Sequence, residues 1–433
     1  MTTPPALPAL SADQRREHLD WLIDLTQIPT ASGKEHRVLT WLDRWLAART
    51  GLCARRDAHS NVEISLSASR VDPSSGQASP HKAASAPPVY FTAHLDHPAF
   101  VVEQILGPSA AILEFRGGVG DDYFQGARLV AFSADDQPLR GVLSGRADGP
   151  QEPLKRFVCE FDRDGAADHL RVGDVARWDL PRAEIADVTP ATSGGAGLAA
   201  PSVPCLHTDA CDDLAAAAAA LAAIDVLRAR VASGGSAPDV RVLLTRAEEI
   251  GFVGAIGACR ERFMPPGSRI IALENSRSFA DSPIGGGPVV RVGDRVSVFS
   301  PSLTGAVARR CEEIGGPQPL ASQKLSAGPA WRWQRKLMSG GACEASVFCA
   351  YGYESTCVCL ALGNYHNMAD LEAVQAERNT TPARVGREFI GIADYEGLVD
   401  LLVACGERLP EDSGFMARVD RLWERHRGVL AEA

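Results

Sequence analysis

The chain has 433 residues, 45% of them apolar and 23% charged, which is ordinary globular usage and excludes a collagen, a coiled coil or disorder throughout. Lys and Arg number 44 against 54 Asp and Glu, and the net charge of −10 has the wrong sign for gripping phosphate backbones. Neither nucleic acid nor a membrane surface is an expected partner, and the length asks for one large domain with a smaller one inserted or appended.

The opening MTTPPALPALSADQRREHLD lacks the basic start and apolar core of a secretory signal, so a cytoplasmic location is expected. Helical spacing follows at Trp21, Leu22 and Leu25 and again at Val38, Leu39, Leu42, Trp45 and Leu46, broken at Gly33. Residues 66–88 are rich in Ser, Ala, Pro and Gly and read as a loop without chemistry. Val89–Asp96, Val240–Thr245 and Arg269–Glu274 are short apolar β-branched runs with helical stretches between them, the rhythm of an α/β sheet. Between 103 and 204 the pattern changes to short strands (Ala111–Phe115, Leu129–Ser133, Phe157–Phe161, Val172–Trp178) separated by Gly and Asp turns. This predicts a small all-β domain inserted into an α/β domain made of 1–102 and 205–433.

Further on, Asp213–Ala232 predicts an Ala-rich helix. It contains the longest apolar run, Leu214–Ile224, which is too short to cross a bilayer. A shorter helix at Gly254–Phe263, a strand at Gly287–Phe299, a helix at Thr304–Ile314, a strand at Ser355–Leu362 and a helical tail from Glu388 complete the reading. The 11 cysteines form no CxxC pairs and read as reduced thiols, with Cys357 and Cys359 packed on one face of a strand.

Chemistry-bearing residues sit at the ends of these elements. His94-Leu95-Asp96 closes the first strand of the α/β set, where open sheets place their sites, and Asp96 can hold the imidazole of His94 for a metal. Asp212-Asp213 opens the Ala-rich helix, where one aspartate is explained by capping and two are not. Glu248-Glu249 enters a glycine turn. Neighbouring side chains diverge there, so one can ligate a metal while the other reaches the water it activates. Glu274 ends the next strand and His366 follows the last. Each residue alone has a plain structural reading: a satisfied histidine, a cap, a solvated turn, a strand end.

Taken together, TAHLDHPAF (92–100), LRVGDVARWD (170–179), CDDLAAAAAAL (211–221), TRAEEIGFVGA (245–255), ALENS (272–276) and GNYHN (363–367) resemble, in identity and order, the two-metal glutamyl and tetrahedral self-compartmentalising aminopeptidases, formerly often labelled endoglucanases. The resemblance runs from about residue 20 to 405. It implies a mixed-sheet α/β/α zinc-peptidase fold with the β-rich insertion as an oligomerisation module. It also implies two divalent ions, zinc or else cobalt or manganese: His94 and Glu274 on one, Glu249 and His366 on the other, and Asp212 bridging. Glu248 becomes the general base, Asp96 orients His94, and Asp213 supports the bridge. The expected partners are a peptide or aminoacyl substrate and further copies of the chain.

Departures from the family are His97 in place of an acid, Leu214 in place of a polar residue and Glu rather than Asp at 274; they bear on substrate and metal choice. His97 and the segment Ser322–Met338 are candidates for specificity, although Trp331-Arg332-Trp333 also reads as plain packing. Two other functions compete. A related amidohydrolase, deacylase or carboxypeptidase, shares the HxD and Glu-Glu features but carries its insertion after the Glu pair. A binding protein that has lost catalysis would not need every ligand position filled.

Overall fold

The computed structural model describes residues 10–67, 87–147, 153–189, 202–236, 238–318, 331–412 and 414–431. The first residues of the chain, nearly all of the 66–88 stretch and the first part of 322–338 therefore lie outside the described residues.

An 11-stranded mixed sheet has at its centre the parallel strands Val240–Thr245, Val89–His94, Arg269–Arg277 and Glu354–Gly363, in that spatial order. These strands read as near-continuous apolar runs because helices cover both faces. Val242 and Leu244 join the core shared with helices Ala12–Thr26, Leu214–Ala232 and Ile392–Glu407, whereas Leu243 faces Val253–Arg260 and Glu344–Ala350 on the other side. The architecture is the predicted α/β/α sandwich. Alanine gives Leu214–Ala232 both high helix propensity and a thin profile, and Ala215–Ala220 are buried all round the helix, between the sheet and helices Ala12–Thr26 and Ile392–Glu407. Antiparallel strands Leu52–Arg56 and Val62–Leu66 extend one edge, and Val203–Thr208 with Glu184–Val188 extend the other. Among the described residues no helix is long and apolar enough to cross a membrane.

Six strands, Ala99–Gly107, Ala110–Arg116, Lys155–Phe161, Pro138–Arg146, Arg128–Phe132 and Val175–Trp178, close into a barrel in that spatial order. Its interior is aromatic: Phe100, Phe115, Phe124, Phe157 and Trp178 pack mostly edge to face, with Phe124 stacked on Phe157 at 4.3 Å.

Three predicted elements come out differently. Residues after Glu388 do not turn helical at once: Glu388–Gly391 is a strand between Val203–Thr208 and Glu354–Gly363, too short to show a period. Only Val289–Gly293 of the 287–299 stretch is a strand, because the Asp294 carboxylate accepts the Val296 and Ser297 amides and folds the chain into a turn. The strand expected from Val172 starts at Val175, after a turn in which Asp174 accepts the Arg171 amide. None of the 11 cysteines is in a disulfide.

Candidate metal centre

The parallel strands deliver their C-terminal ends to one place, as open α/β sheets do. His94 ends one strand, in register with Thr245 of the next, and the chain beyond Thr245 turns back through Glu248 and Glu249 into helix Val253–Arg260. That turn is tight: the Gly254 amide donates to Arg246 O at 2.8 Å, and a Cβ on Gly254 would meet that oxygen at 2.3 Å. Asp212 lies just before the Ala-rich helix, joined to Asp213 by a cis peptide bond. Glu274 is on the central strand and His366 follows Glu354–Gly363.

Asp212 presents one oxygen to each histidine. Its Oδ1 is 3.4 Å from His94 Nε2 and its Oδ2 is 3.4 Å from His366 Nε2. Glu274 Oε1 is 3.8 Å from His94 Nε2, and Glu249 Oε1 is 3.3 Å from His366 Nε2. The side chains thus form two triads, His94–Asp212–Glu274 and Asp212–Glu249–His366, each with its candidate ligand atoms within 4.8 Å of one another. Glu248 points to the His94 side, Oε2 3.9 Å from Nε2, and makes a third such group with His94 and Glu249. Adjacent glutamates therefore face different histidines.

Both imidazoles are aimed by carbonyl oxygens. His94 Nδ1 donates to Asp96 O at 3.1 Å and His366 Nδ1 to Gly118 O at 2.7 Å. A carbonyl only accepts, so each Nδ1 carries hydrogen and each Nε2 turns towards the carboxylates. A neutral imidazole so placed sets lone pair against lone pair, and Asp212 Oδ1 and Glu249 Oε1 have no hydrogen-bond partner. Positive charge between them relieves that repulsion. Burial alone would depress the two histidines, but Glu248 beside His94 and Glu249 beside His366, with Asp212, raise both well above the usual range. Burial, and then the crowd of neighbouring acids, drives Glu248 and Glu274 well above the usual carboxylate range. An over-acidic, buried, under-donated cluster with one imidazole per triad fits divalent cations.

No protein-family model matches the sequence, and no curated protein does. Solved structures are similar. The TET aminopeptidase of a Thaumarchaeota archaeon from marine sediment matches with a TM-score of 0.64 and 16% identity, covering 91% of this chain and 97% of its own. The TET1 peptidase of Pyrococcus horikoshii, which can assemble into a tetrahedron or a large octahedral shell, matches at 0.61 and 17%, covering 91% and 100%. An endoglucanase of Thermotoga maritima matches at 0.53 and 15%, covering 89% and 96%. This chain has the TET aminopeptidase fold.

Around the two triads, the TET fold of this chain carries a buried polar frame. The Asp96 carboxylate accepts Ser32 Oγ at 2.5 Å and the amides of Glu248 and Glu249 at 2.9 and 3.1 Å, so it holds the acid turn as much as the imidazole, which lies 3.4 Å from Oδ1. Asp213 makes no capping hydrogen bond; its carboxylate accepts the His94 amide and Asn275 Nδ2. Positive φ angles at Ala247, Phe252, Asn364, His366 and Asn367 place non-glycine residues of both ligand turns in the left-handed region, a strain the frame sustains.

Sequence reading overlooks Glu388, which is fully buried and accepts the amides of Cys211, Asp212 and His366 at 2.7, 3.0 and 2.8 Å. It also overlooks Tyr365, stacked on His366 at 3.8 Å. His97, weighed as a specificity residue, sits behind Asp212. It is 5% exposed, with Nδ1 on Asp212 O and Nε2 on Asn367 Oδ1. Trp331 is packed in the main core and Trp333 donates to Gly316 O, in line with the packing alternative.

Proposed function

We propose that this chain is a metal-dependent aminopeptidase that releases N-terminal residues from peptides, with Glu248 as general base. The observation that carries this reading is the Asp212 carboxylate, shared between a His94 triad and a His366 triad. His94 and Glu274 would hold one divalent cation, Glu249 and His366 the other, and Asp212 both; zinc suits this donor set, with cobalt and manganese as competitors. Bound there, such ions supply Lewis acidity and a water acidic enough to attack near neutral pH.

The chain's own groups do the rest. Filling the two triads that share Asp212 uses His94, Glu249, Glu274 and His366 and leaves Glu248 over, 8% exposed and facing the same space. A carboxylate so placed takes the proton of the attacking water and returns it to the leaving amine. The acidic surround attracts the ammonium of a free N-terminus, which favours exopeptidase action. Peptidase action is consistent with the TET-fold neighbours, and assembly of the Pyrococcus horikoshii protein supports association of copies of this chain, for which the inserted module 103–204 is our candidate surface. Light scattering returning a monomer mass would remove that part.

The deciding experiment compares free-amine aminoacyl anilides with their N-acetylated counterparts, on chelated protein and on protein reloaded with zinc, cobalt or manganese. Metal-dependent cleavage confined to free amines is expected. Cleavage of the acylated set alone would replace the reading with a deacylase, and no cleavage by protein holding two ions would replace general peptide cleavage with a narrow dedicated substrate or a binding role.

A further inference from the structure

The barrel meets the candidate centre at the end of its strand Ala110–Arg116. Gly118 O, just beyond that strand, orients His366. On the other flank, residues 30–35 lie between the barrel and the acid turn. Ala31 is buried with barrel residues Ala99, Val101 and Val175. Arg116, its guanidinium steadied by Glu114 at 2.8 Å, donates Nη1 to Ser32 O at 2.7 Å.

From that segment two groups reach the acid turn. Ser32 Oγ donates to Asp96 Oδ2, and Asp96 holds the Glu248 and Glu249 amides. Glu35 Oε1 accepts the amides of Gly33 and Ala247 at 2.7 and 3.0 Å, and its Oε2 accepts Arg246 Nε at 2.7 Å. Ala247 is one of the left-handed residues, so the turn is held in a shape it would not keep unaided. The contacts run without a gap from a barrel guanidinium to the backbone of the proposed base.

We propose that Arg116 is a positioning residue for the Glu248–Glu249 turn, acting through Ser32 and Asp96, so that the barrel is part of the catalytic centre. The inference rests on reading Glu248 as the base. Arg116 touches no candidate ligand, and its effect passes through the backbone it steadies.

The test uses the full chain as Arg116→Ala, Arg116→Gln and Arg116→Lys, with Arg128→Gln as a barrel control because Arg128 pairs with Asp162 on the exposed surface. Amide exchange is followed in chelated protein, and kcat and KM on a free-amine anilide in zinc-loaded protein. Expected for Arg116→Ala is at least tenfold faster exchange (about tenfold to a hundredfold) over residues 246–252, with the barrel strand 99–107 unchanged, and a kcat loss of similar size at constant KM and metal content. Arg116→Lys should recover part of both, and Arg128→Gln should match the parent. Arg116→Gln keeps the side-chain stem and decides the matter if the alanine variant unfolds the barrel. Unchanged exchange over 246–252, or a loss shared by Arg128→Gln, would overturn the proposal. A parent protein that cleaves nothing would defeat the aminopeptidase reading instead, and the exchange comparison would still decide the role of Arg116.

Discussion

Asp96 and Glu248 are joined through the backbone, the Glu248 amide donating to Asp96 Oδ1 at 2.9 Å. The bond fixes where the Glu248 turn begins yet leaves its carboxyl free to face His94 Nε2 at 3.9 Å. A carboxylate proposed to carry protons must be placed by something other than its own oxygens, and here the placing is done from behind.

Replacing Glu248 by Gln therefore removes the proton acceptor without disturbing the turn. Turnover should fall by roughly a hundredfold to ten-thousandfold, the usual worth of a general base. Metal content by plasma mass spectrometry should stay at the parent value; a variant that loses its ions along with its activity would make Glu248 a ligand.

Asp212→Asn should have a different signature. An amide offers one acceptor oxygen where both triads need one each, so the two cations no longer share a ligand. The parent should gain two zinc equivalents in native mass spectrometry and melt at a higher temperature when they bind, since ions that bind only the folded state stabilise it by mass action. The variant should hold fewer and show a much smaller rise.

Glu388→Ala leaves the amides of Cys211, Asp212 and His366 without their acceptor. With a buried unsatisfied donor costing about 1–3 kcal/mol and water able to reach some of the space, a loss on the order of 3 kcal/mol is expected in urea unfolding of chelated protein. A loss within experimental scatter would mean that the two ligand turns hold each other without it.

Acid sensitivity should appear far from the centre. His18 is buried beside Trp21, and burial lowers its pKa from 6.5 to about 4. The unfolded chain takes its proton near 6.5 while the folded chain waits until about 4, so stability contributed at this residue is present above that window and falls as pH drops through it. The urea midpoint of chelated parent minus that of His18→Phe should decline between those pH values; a flat difference would show His18 to be hydrated in the folded state.

The sequence discloses what depends on short range. A buried parallel strand needs only five or six apolar residues to be recognised, so the acids and histidines just beyond Val240–Thr245 and Glu354–Gly363 and at the end of Val89–His94 can be seen as one set, with Glu274, although its strand runs on to Arg277. Four barrel strands announce themselves by their turns, but Ala99–Gly107 is missed, and so is Pro138–Arg146, which opens on proline and contains Gly141 and Gly145. What stays hidden acts at long range or without a side chain. Glu388 accepts from amides 22 and 176 positions away, and the group that aims His366 is the carbonyl of a glycine. His97 draws notice only as the neighbour of the HxD motif, and its partners, Asp212 O and Asn367 Oδ1, lie 115 and 270 positions away.

The shared carboxylate also bears on how the protein is made. Asp212 binds its two histidines to segments that leave the ribosome at very different times, residue 94 early and residue 366 late. Until the late segment has emerged and docked beside the earlier strands, the second triad does not exist, so a nascent chain cannot complete the cluster. Glu388, which holds the amides of Asp212 and His366, emerges later still, so under the proposed function any uptake of ions waits for the end of synthesis.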